Sequence, residues 1–210
     1  MSKYRNFTLL ELLTVIAVAS VLLTVAVAAF SGFGDSAKVG NAASMVGQEL
    51  TLAKSAAATR RKPVAVVIAD RSINDSSESC LFAALRSGFV DFENNEIGSD
   101  DWLSDSEWAL LPVAVRVVDV FDGDTSIIDD ITVNIDGDVA TREIAFVFTP
   151  DGVCHKLNTS GSSWSVGAPC NFKIRVAACE DETGDVPSAD NYKNVTVNRY
   201  TGVIKYEDPE

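Results

Sequence analysis

The chain has 210 residues and a net charge of −13, with 17 Lys and Arg against 30 Asp and Glu. That length gives one domain of ordinary size an ample core. The acidic balance repels phosphate backbones, so nucleic-acid binding by the whole chain is disfavoured and protein contacts suit it better.

The chain is organised around residues 7–30, FTLLELLTVIAVASVLLTVAVAAF, which carry no charge from position 12 onward. As a helix rising 1.5 Å per residue, that run comes close to the roughly 30 Å of a hydrocarbon core. Glu11 lies inside it. A carboxylate at membrane depth costs roughly 3 kcal/mol or more without a partner, so its presence marks function. Three readings compete: a secretory signal with Lys3 and Arg5 as its basic region and Ala26-Val27-Ala28 as cleavage site, a plain anchor, and a prepilin-type segment.

The order Phe7-Thr8-Leu9-Leu10-Glu11-Leu12 chooses among them, because it resembles the start of the type IV pilin and type II secretion pseudopilin superfamily. The resemblance implies a short basic leader, residues 1–6, removed between Asn6 and Phe7 by a prepilin peptidase. It also implies N-methylation of Phe7 and places Glu11 at the fifth mature position. The leader departs from the family pattern in ending in Asn6, where the peptidase expects glycine. Cleavage would free the Phe7 amine, cationic below a pKa near 8. Glu11 of one subunit could then pair with the amine of a neighbour and fix one axial stagger between helices.

From Asp35 the pattern turns amphipathic. Val39, Ala42 or Ala43, Val46, Leu50, Ala53 and Ala57 recur at steps of three and four, predicting a helix with one buried stripe. Gly32 and Gly34 are soft points before it. Arg60, Arg61 and Lys62 close the helix beside its terminal carbonyls, and Pro63 stops it. Strands are predicted over residues 63–70, 79–86, 108–121 (one or two, around Pro112), 142–149 and 171–179, with a closing hairpin over 194–206 turning at Thr201-Gly202. The expected fold class is α+β: a long N-terminal helix, membrane-spanning in its first half and amphipathic in its second, packed on an antiparallel β-sheet or β-sandwich domain. The expected divisions are a leader (1–6), an assembly helix (7–30), its amphipathic continuation (31–62) and a periplasmic β-rich domain (63–210).

Cys80, Cys154, Cys170 and Cys179 all follow the apolar run, and an even number in an exported domain suggests disulfides. Three connectivities are open; Cys154–Cys170 with Cys80–Cys179 is the expected one. No zinc spacing is present, and no metal or cofactor is called for. Asp122-Gly123-Asp124 and Asp136-Gly137-Asp138 invite calcium, but the spacing of a full loop is missing and Asp-Gly is a common turn dipeptide. No glycine-rich phosphate loop, GxSxG elbow or HExxH helix occurs. His155, the one histidine, reads as a surface loop residue, so no catalytic residue and no small-molecule substrate are expected. Trp102, Trp108 and Trp164 read as core or interface rather than as a stacking platform for bases.

The succession of a helix containing LTLAKSAAATRRKPVAVVI, a strand ending at TPDG and a terminal VTVNRYTGVIKY is similar to minor pseudopilins of the GspH/FimT type. That resemblance implies a structural subunit, not an enzyme, held in the inner membrane with its domain in the periplasm. It would join a secretion pseudopilus or type IV pilus at or near the tip. Its partners would be other pilin or pseudopilin subunits, the prepilin peptidase and inner-membrane lipid. Two alternatives stay open. One is a FimT-like pilin that captures DNA through Arg60, Arg61, Lys62, Arg199 and Lys205; the other is a secreted binding domain or hydrolase released after Ala28.

Overall fold

The computed structural model describes residues 9–69, 83–103, 108–128, 132–133, 143–158, 163–179 and 191–209; at positions 10, 24–33 and 132–133 only the backbone is described. The expected leader, the Asn6–Phe7 processing site, Cys80 and the Asp136-Gly137-Asp138 turn lie outside these residues. By internal contacts the chain divides into two units, Met1–Ala37 and Lys38–Glu210.

Among the described residues there are one helix, α1 (Leu9–Arg60), and twelve strands. The strands are β1 (Val64–Ala69), β2 (Ala84–Phe89), β3 (Ala109–Leu110), β4 (Val115–Asp122), β5 (Thr125–Ser126), β6 (Thr132–Val133), β7 (Glu143–Phe148), β8 (Cys154–Asn158), β9 (Ser165–Pro169), β10 (Phe172–Ala178), β11 (Tyr192–Val197) and β12 (Ile204–Glu207).

The expected fold class is corrected here. The molecule is mainly antiparallel sheet, and among the described residues no helix is long and apolar enough to cross a membrane. The expectation of a membrane-spanning first half falls with this finding, and so does that of a single-pass inner-membrane anchor.

In the second unit, the strands form two antiparallel sheets. One runs β3-β2-β1-β7-β8-β9, with β6 also paired to β7; the other runs β12-β11-β10-β4-β5. At the centre of the first sheet, β1 pairs Val66 with Ser87 of β2 on one side and with Phe146 of β7 on the other. The VAVVIA and EIAFVF runs of β1 and β7 are buried on both faces, which explains why they are apolar without alternation apart from Glu143. One face meets the main core. There, Val39, Ala42, Val46, Leu50, Ala53 and Ala57 of α1 join Phe146 and Phe148 of β7 and Phe172, Ile174 and Val176 of β10. Phe146 and Phe172 meet edge to face, centroids 4.3 Å apart, and tie one sheet to the other. The other face is covered by a smaller cluster in which half-buried Phe92, Trp102, Trp108 and Trp164 pack on Val67, Ala145 and Val147.

The helix ends as its sequence dictates. Arg61 takes a left-handed conformation (φ 54°), the usual exit of a helix, and Pro63 follows. Farther on, Lys54 Nζ donates to the Thr201 carbonyl at 2.7 Å, which fastens the β11–β12 turn to the helix. Inside that turn the Asn198 side chain accepts from the backbone N–H groups of Tyr200 and Thr201. β12 approaches α1 at Gly47, where a Cβ would collide with the Tyr206 hydroxyl.

Candidate assembly surface

The first unit presents the most unusual chemistry. Leu9, Leu12, Leu13, Val15, Ile16, Val18, Val21, Leu22 and Leu23 each expose 58–81 % of their surface. Consecutive positions point around the whole helix, so no single apolar stripe exists there to be turned inward. A helix that is apolar all round needs cover on every side. Glu11 lies in the first turn of α1, is exposed, and its backbone carbonyl accepts from Thr14 Oγ1 at 2.9 Å. A carboxylate in that turn also faces the positive end of the helix dipole. Of the sequence-expected assembly pair, the structure places Glu11 on this surface, while Phe7 lies outside the described residues.

The cysteines require a correction. Cys154 and Cys170 are neighbours, with the Cys170 N–H donating to the Cys154 carbonyl at 3.1 Å, yet their thiols are not bonded to each other. Burial, followed by the neighbouring Asp122 carboxylate, pushes the Cys170 thiol up to about 12. Burial also holds the Cys154 thiol well above its ordinary value, with Cys170 as the next cause. Cys179 is buried just beyond β10. The expected Cys80–Cys179 bridge has one member outside the described residues.

His155 is not in a loop: it lies in β8, half-buried, and its Nδ1–H donates to the Gly167 carbonyl at 3.0 Å. That bond stitches β8 to β9, a connection the sequence did not suggest. Asp122-Gly123-Asp124 is the β4–β5 turn, with Gly123 at φ +63° and Asp124 3.5 Å from Lys173 Nζ. Among the described residues no three His, Cys, Asp or Glu side chains gather as metal ligands.

The tryptophans divide between cover and contact. Trp102 stacks under the Arg86 guanidinium at 4.2 Å and lies 5.8 Å from Trp108. It also lines a groove of about 740 Å³ between α1 and residues 100–103. Sequence reasoning missed this groove because its walls, Leu52, Arg60 and Lys62 against Phe89 and Trp102, are brought together only by the pairing of residues 101–103 with β2. Of the other cations named as candidate DNA contacts, Arg199 lies over the Tyr200 ring at 4.8 Å and Lys205 is exposed on β12.

Comparison with protein-family models, with curated proteins and with solved structures finds no match to this chain in any of the three.

Proposed function

We propose that the chain is a structural subunit that assembles with other pilin-like subunits into a filament through the N-terminal part of α1. The observation that carries this reading is the set of nine aliphatic side chains between Leu9 and Leu23 left open to solvent by the chain's own fold. Covering one such side chain is worth roughly 1.5–3 kcal/mol, so covering the set returns on the order of 10 kcal/mol or more before the entropy of association is subtracted. Neighbouring helices of the same kind supply that cover with matching shape. The FTLLEL order at its start, with Glu11 inside it, supports the same reading, as does a β-rich unit of the kind that the GspH/FimT resemblance implies.

Glu11 sets the register in this scheme. Its carboxylate meets the freed amine of a neighbouring subunit, and any other axial stagger leaves both charges enclosed without a counter-ion. Replacing Glu11 by Leu therefore removes the register signal while increasing apolar surface. The test is incorporation of full-length Glu11→Leu into filaments in cells that carry the assembly machinery. The variant is expected at normal abundance but absent from sheared filaments. Its incorporation at the level of the native chain would refute the role. Mass spectrometry of the mature N-terminus gives an independent answer: a start at Phe7 agrees with assembly, whereas a start at Ala29 assigns the chain to the secreted class.

A further inference from the structure

The groove between α1 and residues 100–103 has the anatomy of a protein interface. Its middle is apolar, with Leu52 46 % exposed on the helix side and Phe89 and Trp102 opposite. One end is cationic, where Arg60 and Lys62 line it and exposed Arg61 adjoins them. A large aromatic beside an arginine-rich rim is the composition of a contact that holds another polypeptide. Nothing in the proposed helix assembly uses this surface.

We infer that this groove docks the acidic surface of a second copy of the chain, as a lateral contact that orients the β-rich units. The occupant is argued from charge. Each copy carries −13, so copies brought side by side present mostly carboxylates to one another. The field of distant charges is screened within about 8 Å at physiological salt, which leaves local pairs to decide the geometry. Residues 60–62 are the longest run of consecutive cations in the sequence, and all three are exposed. Opposite charge can meet there, and the exposed Leu52 beside them becomes buried in the same step. Asp100 and Asp101 line the other wall of the groove, so the carboxylates of the second copy meet it at the 60–62 end.

This inference rests on the assembly reading above, and its test separates the two. Full-length chain is held in a non-ionic detergent that covers the apolar part of α1, so that helix-driven association is silenced. Self-association is then measured by sedimentation velocity at 50 and 500 mM salt, for the native chain and for Arg60→Glu/Arg61→Glu/Lys62→Glu. In parallel, a zero-length carbodiimide cross-linker is applied to a mixture of ¹⁵N-labelled and unlabelled chains. The expected result is a dimer that weakens about tenfold with salt, as a few exposed ion pairs would give, and about as much in the triple variant. Mixed-isotope cross-links should include Lys62. Association indifferent to both salt and charge reversal would overturn the inference, as would Lys62 cross-links confined to one chain, for instance to Asp91. Salt-sensitive retention of a DNA duplex by the native chain, lost in the triple variant, would also overturn it by assigning the patch to nucleic acid. Loss of filaments in Glu11→Leu does not bear on any of these readouts, so either reading can fail while the other stands.

Discussion

At the scale of single residues, backbone conformation and thiol burial make the sharpest predictions. Gly202 sits at φ +56°, and a Cβ there would lie 2.5 Å from the Gly152 carbonyl oxygen and 3.1 Å from the Lys54 side chain. Gly202→Ala should therefore cost about 2 kcal/mol or more, since the left-handed conformation alone costs roughly 1–2 kcal/mol for a residue with a Cβ. Ala114 is the converse case: it holds φ 64° while its carbonyl accepts from the Cys179 N–H. Ala114→Gly should gain about 0.5 kcal/mol, the relief of strain less the entropy of glycine. Urea denaturation of both variants checks the opposite signs. Gly202 was legible as a turn residue from Thr201-Gly202; Ala114 was not, because nothing in the local sequence marks alanine for that conformation.

The buried thiols give a pH dependence. Cys170 titrates at about 12 in the folded chain against an ordinary 9.0, so the folded state favours the protonated form. A raised pKa contributes stability that is complete below the unfolded value and is lost as pH rises toward the folded one. Thermal stability should accordingly decline from about pH 9 to pH 12, and Cys170→Ala should flatten that decline. An equally steep loss in the variant would remove Cys170 as its source. The sequence showed four cysteines and an exported pattern, from which a Cys154–Cys170 bond followed naturally. It could not show that Cys170 would be buried beside the Asp122 carboxylate.

At the scale of elements, α1 beyond Lys38 owes its place to a stripe rather than to propensity. Leu50 is fully buried in the main core, and Leu50→Ala should destabilise the second unit by about 2–5 kcal/mol in calorimetry or urea titration. Leu52, two residues on and turned to the groove, should cost well under 1 kcal/mol when changed to Ala. The stripe was legible because spacings of three and four survive in one dimension. β1, β7 and β10 were legible from β-branched and aromatic content. β8 and β9 were not: CHKLN has no alternation, and SVGAP contains a glycine and a proline that argue against a strand. They exist because β7 offers a free edge to β8 and β8 in turn to β9. The groove beside α1 was invisible for a related reason, since its two walls lie far apart in the sequence and are brought together with the Gly88–Trp102 bridge.

At the scale of the whole molecule, the described residues leave open an apolar stretch from Leu9 to Leu23 and a Trp-lined groove with a cationic end in an otherwise acidic protein. The first was read from the sequence as a membrane span, on its length and hydropathy and on the pilin-like order FTLLEL. Hydropathy says that a segment seeks cover; it does not say whether lipid or protein provides it. The most direct measurement is therefore filament incorporation of full-length Leu13→Lys/Ile16→Lys beside the native chain, with near-ultraviolet circular dichroism reporting on the second unit. The variant should keep the native spectrum and disappear from the filament fraction. A variant that is recovered in filaments as abundantly as the native chain would contradict it.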